Sequence, residues 1–486
     1  MSLILVSNRV ARPKANEPIN GGLAAALLPA VMASGAIWVG SSGKVTEPTG
    51  RESFAQIEAL GTGALATVDL PARQYRGFYQ GFANSALWPV LHSRTDLIRT
   101  SAEDYASYRE INAIMARALL RFAKPDAIFW IHDYHFMMLA AELRRLGVAQ
   151  PVGFFLHTPF PPRHVMQSLP HHRELAQAML AYDLVGFQTD EDRANCAEYL
   201  VQELGLSMRG DAVTTERGAT RLATFPIGID AKAFADRAAR AINRAEVARL
   251  RASLLGARLV IGVDRLDYSK GLDNRFRAFD LALQNDPSLK RTVRLLQIAV
   301  LSRSQIGAYR QLQRELAELV GEINGRHAEV DWSPIRYLNR GFGQSILAGF
   351  YRLARVGLVT PLHDGMNLVA KEYVAAQDPA DPGVLVLSQF AGAAKQLDAA
   401  VLVNPHDVDA LAPAIQGALA MPLDERRRRW AAMMAVLESS SLSHWFDSYV
   451  AALKASAGTS QASSPRNVAR PAFRRLQIEP AASPAL

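Results

Sequence analysis

"ARLVIGVDRLDYSKG", residues 257–271, sets the reading of the whole chain. A short run rich in Val, Ile and Leu gives way at once to charged residues and a glycine, the pattern of a buried strand that ends in a working loop. Toward the C-terminus the pattern returns in "VRLLQIAV", "VGLVTPLHDG", "GVLVLSQ" and "AVLVNP". Toward the N-terminus it occurs in "LILVSNR", "AIWVGSS", "DAIFWIHD", "PVGFFLH" and "DLVGFQT", and "GGLAAALLPAVMA" has helical composition. Strands alternating with helices predict α/β units with parallel sheets. One series lies before "ATFPIGID" (Ala223 to Asp230) and one after it. The prediction is two Rossmann-like domains, residues 1–228 and 229–454, with a substrate cleft between them at the carboxyl ends of the strands. From Ala455 the chain is rich in Ser, Ala and Pro, so residues 455–486 are expected to form a disordered tail.

At 486 residues the chain suits two domains better than one core. Its only cysteine, Cys196, excludes an internal disulfide framework and fits a cytoplasmic location. "MSLILVSNRV" lacks the basic start and cleavage site of a signal peptide, and no apolar run approaches the roughly 20 residues that span a bilayer. The net charge of +8 raises a nucleic-acid reading. However, "ERRRRW" (Glu425 to Trp430) has the look of a solvated helix face, and the arginines of the tail lack interleaved aromatics. A basic enzyme of anionic substrates fits better, and neither nucleic acid nor membrane is expected as a partner.

Arg265 and Lys270 stand in the loop after the first quoted strand, where two cations suit a diphosphate. The competing reading is a surface loop salt-bridged through Asp264 or Asp267. In "TPLHDGMNLVAKE", Gly365 permits a tight turn, and backbone N–H groups near Asn367 and Leu368 open a helix, a ready anion site. Asp364 and Glu372 flank that helix start and could accept hydrogen bonds from sugar and ribose hydroxyls; Asp364 could equally be a simple cap. Phosphates and hydroxyls together point to a nucleotide sugar. In the first half, Arg9, Asp133 and His157 sit at strand ends, and the Gly21–Gly22 pair fits either close approach of backbone to a ligand or close helix packing. Tyr79 and Trp88 fit either a sugar-stacking surface or an apolar core. The set His132, Asp133, His135 and His157 matches no zinc spacing, so no metal is expected.

Taken together, "VSNR", "GGL", "LWP", "IHDYH", "GFFLHTPFP", "DRLDYSKGL", "INGR" and "DGMNLVAKEYVAAQ" resemble the trehalose-6-phosphate synthase family, from the first strand to about Trp445. The resemblance implies a retaining glycosyltransferase of family 20 with the two-domain GT-B fold and no cofactor. It implies transfer of glucose from UDP-glucose to glucose 6-phosphate, giving α,α-trehalose 6-phosphate in a biosynthetic, stress-protective role. It implies that Arg9, Tyr79 and Arg303 hold the acceptor phosphate, that Asp133 contacts the acceptor sugar, and that Trp88 shapes anomer selection. On the donor side it implies Arg265 and Lys270 at the diphosphate, with backbone N–H groups of Asn367 and Leu368 beside them and Val369, Ala370 and Lys371 as further donor-binding residues. Glu372 falls to the ribose, His157 and Asp364 to the transferred glucose, Gly21 and Gly22 against the donor, and Phe342 to the base. Asp133, His157, Arg265, Lys270 and Asp364 form the implied catalytic set. Two departures stand out: Ser41 where the family carries tryptophan, and Thr158 where it carries isoleucine, beside the anomer-selecting region. A synthase using ADP-glucose and glycerol 3-phosphate would share the donor motifs, and a homo-oligomer stays open.

Overall fold

β1 (Ser2–Arg9) buries Ile4, Leu5, Val6 and Ser7 and ends on an exposed Arg9. That is the design of most strands here: an apolar body locked in the sheet and a polar residue released at its carboxyl end. The computed structural model describes residues 2–12, 22–46, 56–215 and 218–461.

The first sheet adds β2 (Ile37–Thr46), β3 (Gln56–Leu60), β4 (Gly63–Pro71), β5 (Ala127–His132), β6 (Val152–Phe155), β7 (Leu184–Phe187), β8 (Met208–Arg209), β9 (Ala212–Thr215) and β10 (Gly218–Thr224). Its order is β3-β4-β2-β1-β5-β6-β7-β10-β9-β8. The strands from β4 to β10 in that order pair in parallel, and antiparallel β3 and β9–β8 close the two ends. The second sheet contains β11 (Arg258–Arg265), β12 (Val293–Val300), β13 (Ile335–Leu338), β14 (Ala354–Val359), β15 (Val384–Ser388) and β16 (Val401–Val403). It is wholly parallel in the order β13-β12-β11-β14-β15-β16. Each sheet therefore has a switch point, β1/β5 in the first and β11/β14 in the second, where chain direction leaves a crevice for ligands.

Every strand read from the sequence is present. The hairpin β3–β4, the ribbon β8–β10 and β13 were not anticipated; most are short or exposed pieces without a long apolar run. The last helix, Leu442–Gln461, departs from the expected division in two ways. It continues past Ala455, into the segment expected to be a disordered tail. It also packs beneath the first sheet: Tyr449 donates its hydroxyl to the carbonyls of Phe154 (2.9 Å) and Leu184 (3.4 Å) and stacks on Trp130 at 4.2 Å. Residues 462–486 and Gly21 lie outside the described residues. Among the described residues, no helix is long and apolar enough to cross a membrane.

Candidate functional site

The two switch points face one another. From the second sheet, β11 delivers Arg265 and Lys270 and the neighbouring β14 delivers Asp364. Asp267 caps the turn Tyr268–Lys270 by accepting from Ser269 N–H at 3.1 Å, which turns Lys270 inward. The Lys270 Nζ then reaches Asp364 Oδ2 at 2.5 Å. Asp364 also accepts from Asn367 Nδ2 (3.0 Å) and Gly365 N–H (3.1 Å). Burial alone would raise the pKa of Asp364, but Lys270 outweighs it and holds the acid below its usual range. Arg265 is exposed and makes no hydrogen bond or ion pair among the described residues; its guanidinium lies 5.5 Å over the Trp88 ring. A cation in a cleft with no hydrogen-bond or ion-pair partner among the described residues is available to an anionic ligand.

Asn367 starts the helix Leu368–Ala376 from a left-handed backbone (φ 72°), its Oδ1 accepting from Ala370 N–H. Glu372, half-buried near Gln344 and Arg237, has its pKa pushed up to about 7 by burial, with those two neighbours opposing. Lys371, its chain neighbour, points elsewhere. It is fully buried, and its ammonium donates to the Ile227 carbonyl and to Gln396 Oε1, each at 2.6 Å. Burial without a carboxylate partner lowers its pKa to about 7. Its side chain is thus committed to the segment joining the two sheets and does not enter the cleft. Phe342 packs edge-on against Phe350 with Arg340 over its ring.

From the first sheet, Asp133 follows β5 in a strained backbone (φ 75°). Its Oδ1 is buried without a hydrogen-bond partner among the described residues. Burial raises its pKa to about 6, against the pull of backbone N–H groups and of Arg265 and Arg303. A carboxylate oxygen held so is a vacant acceptor. His157, after β6, is kept neutral by burial, its pKa lowered to about 3. Gln188 Oε1 accepts from Ile227 N–H (3.0 Å), so its Nε2 faces His157 Nδ1 at 3.4 Å as donor. His157 Nε2 then lies 3.1 Å from His132 Nδ1. Gly365 touches the His157 carbonyl so closely that a Cβ there would overlap it, which joins the two domains backbone to backbone.

Tyr79 and Trp88 come from one unusual element, a π-helix Arg76–Leu87 that runs into the short helix Trp88–Leu91. Such widened helices are rare and frequently found at functional sites. Tyr79 stacks between Tyr75 and His135, with ring centroids 5.4 and 5.8 Å away. Trp88 is buried, but Arg303 from the second domain lies 3.8 Å over its face, so it belongs to the interdomain surface. The Arg9 guanidinium lies against Gly43. Ser41 is buried, its Oγ accepting from Gly43 N–H at 3.1 Å. Thr158, next to His157, is buried, and its hydroxyl has no hydrogen-bond partner among the described residues. Among the described residues no cluster of His, Cys, Asp or Glu is arranged to hold a metal ion. Sequence reasoning singled out neither Tyr134 nor Tyr309, which bond Arg303 at 3.1 and 2.6 Å, nor Gln188; Tyr134 and Gln188 act through partners remote in sequence, and Tyr309 through a loop side chain 6 residues before it.

A model of glycosyltransferase family 20 matches residues 7–455. The chain is 45% identical over 457 residues to the trehalose-6-phosphate synthase of Sinorhizobium fredii (strain NBRC 101917 / NGR234), covering 93% of this chain and 98% of that protein. A Burkholderia xenovorans α,α-trehalose-phosphate synthase (UDP-forming), solved in complex with glucose-6-phosphate, superposes with a TM-score of 0.90 at 42% identity, covering 93% of this chain and 100% of that one. An E. coli structure bound with UDP-2-fluoro glucose gives 0.88 at 40% identity, covering 93% and 99%. With its two parallel sheets arranged as in these GT-B enzymes, the chain belongs to glycosyltransferase family 20.

Proposed function

We propose that this protein transfers glucose from UDP-glucose to glucose 6-phosphate with retention of configuration, releasing UDP and α,α-trehalose 6-phosphate. The observation that carries the reading is the meeting of two switch points: cations and a helix start on one side, and a vacant carboxylate with aromatic and arginine groups on the other. Relatives solved with glucose-6-phosphate and with UDP-2-fluoro glucose support the same pair of substrates. No observation favours ADP-glucose with glycerol 3-phosphate.

In this reading Arg265, Lys270 and the start of the helix Leu368–Ala376 stabilise the charge that develops on the leaving diphosphate, the effect that dominates such catalysis. Glu372 takes the ribose, and Gly21, Gly22 and Phe342 line the rest of the donor. Asp364 and His157 hold glucose hydroxyls. Asp364 is already engaged by Lys270 and Asn367, which disfavours its use as a nucleophile, so attack comes from the front face and the departing phosphate accepts the acceptor's proton. Asp133 receives an acceptor hydroxyl at its free oxygen. Arg9, Tyr79 and Arg303 bind the acceptor phosphate, while Trp88 and Thr158 bound the anomeric centre. The first domain thereby serves mainly the acceptor and the second mainly the donor, with His157, Gly21 and Gly22 crossing to the donor and Arg303 to the acceptor. The buried, unpaired Cys196 suits a reducing cytoplasm, and assembly into homo-oligomers is compatible with the reading.

The test is product identification by NMR from purified protein with UDP-glucose and either glucose 6-phosphate or glucose. Charge-assisted contacts of roughly 1.5–3 kcal/mol each make the phosphorylated acceptor several hundredfold better in kcat/KM. Equal efficiency with free glucose overturns the reading.

A further inference from the structure

Asp267 is the most heavily engaged carboxylate at the cleft. Its side chain is fully buried, yet both oxygens are met by donors. Oδ1 accepts from Trp88 Nε1 (3.3 Å) and Ser269 N–H (3.1 Å). Oδ2 accepts from Arg303 Nη1 (2.6 Å) and from the Tyr309 hydroxyl (3.0 Å). These groups come from the short helix Trp88–Leu91 of the first domain, the loop after β11, the segment after β12 and the helix Gly307–His327. A buried charge needs such company merely to be tolerated. What gives the arrangement meaning is which parts of Arg303 it takes.

Arg303 has a left-handed backbone (φ 49°), unfavourable for a residue with a side chain, so something must hold it there. Its Nη1 donates to Asp267 and to the Tyr309 oxygen, the latter at 2.6 Å, which uses both of that nitrogen's hydrogens. Nη2 donates one hydrogen to Tyr134 at 3.1 Å. Among the described residues Nε makes no hydrogen bond. The Nε–H and one Nη2–H therefore remain without a partner among the described residues, two donors on the Nε/Nη2 edge available to the oxygens of a phosphate. The Trp88 ring, 3.8 Å from the guanidinium carbon, fixes the plane of that edge.

We propose that Asp267 is a positioning residue for acceptor selection: together with Tyr309 it occupies the Nη1 end of Arg303 and so presents the Nε/Nη2 edge to the acceptor phosphate. The inference rests on the reading of Arg303 as a phosphate-binding residue. A purely structural carboxylate would, on removal, harm every acceptor alike. A positioning carboxylate harms the phosphorylated acceptor selectively.

The experiment measures kcat/KM for glucose 6-phosphate and for glucose in wild type, Asp267→Asn, Tyr309→Phe, Arg303→Ala and the double variant Asp267→Asn/Arg303→Ala. Asparagine keeps an oxygen for Trp88 and Ser269 but turns an N–H₂ toward Arg303 and Tyr309, so it breaks the Oδ2 half alone. Asp267→Asn is expected to lower the ratio of the two efficiencies by about tenfold or more, mainly through KM for glucose 6-phosphate. Tyr309→Phe, near-isosteric and safe for folding, lowers it by about threefold. In the double variant Asp267→Asn adds nothing to the loss from Arg303→Ala, because both act on one interaction. If Arg303→Ala leaves the ratio intact, the acceptor-site reading fails. If Arg303→Ala collapses it while Asp267→Asn and Tyr309→Phe slow both acceptors equally or not at all, the positioning role is overturned.

Discussion

Lys270 Nζ stands 2.5 Å from Asp364 Oδ2, and their side chains are only 9% and 15% exposed. The cation assigned to the diphosphate and the acid assigned to the glucose are thus one ion pair, reached from two adjacent strands. Lys270→Ala removes leaving-group stabilisation and leaves a buried carboxylate without its cation. Turnover is expected to fall by about 10²-fold or more, with a stability loss approaching ~3 kcal/mol. Adding Asp364→Asn restores the melting temperature but not turnover. An unchanged melting temperature in Lys270→Ala would show that the pair does not hold the loop.

Glu372, proposed to hold the ribose, is expected to make donor binding depend on pH. In the proposed donor site ribose hydroxyls donate to the ionised carboxylate, and burial has raised its pKa to about 7. UDP-glucose, whose diphosphate does not titrate near neutrality, should bind about tenfold more tightly at pH 8 than at pH 6. Glu372→Gln should flatten that profile in calorimetry. The same raised pKa means that the group's favourable share of stability is present below its unfolded value and is lost as pH rises to about 7. A profile that stays steep in Glu372→Gln assigns the titration elsewhere.

Lys371 carries the opposite signature. Its folded pKa, about 7, lies below the unfolded value, so the protein gains stability as pH rises from 7 toward 10. Lys371→Met should remove that slope from denaturant titrations at pH 7 and 9. It should also lower stability at pH 9, where Ile227 and Gln396 lose their donor. A slope that survives the substitution rules out Lys371 as its source.

Gly365→Ala tests the backbone junction between domains. A Cβ would overlap the His157 carbonyl, and relief requires a shift of order 1 Å in a residue proposed to hold the glucose. Turnover should drop by ~10²-fold. Wild-type kcat in this variant would mean that the junction yields without moving the site.

Tyr449→Ala should cost about 3–5 kcal/mol, because the ring fills the space over Gly153 and Gly186 and stacks on Trp130. Denaturation should report it in the first domain's fluorescence. A loss below ~1 kcal/mol would show that the last helix is not needed beneath the first sheet.

The chain's strand-and-loop grammar was legible residue by residue. An apolar run followed by "DRLDYSKG" or "HDG" must put its charges at a strand end, because a buried strand has nowhere else to release them. That determined both parallel sheets, the cleft, and most candidate residues, since each occupies the first turns after a strand. The family resemblance added roles that periodicity could not supply. Directions of side chains were another matter. Lys371 and Glu372 are neighbours in one motif, yet a helix turns about 100° per residue. One faces the carbonyl of Ile227 and the other the region of Gln344 and Arg237. Only the packing of that helix on the second sheet, against the helices Ala231–Ala241, Gln344–Leu353 and Leu423–Ser439, decides which. The same holds for Asp267, whose partners Trp88 and Arg303 lie 179 and 36 residues away, and for Tyr449, bonded to Phe154 across 295. Sequence patterns report local burial and local turns. Which distant donors meet a buried charge, and which sheet receives the last helix, depend on how the two domains close on each other.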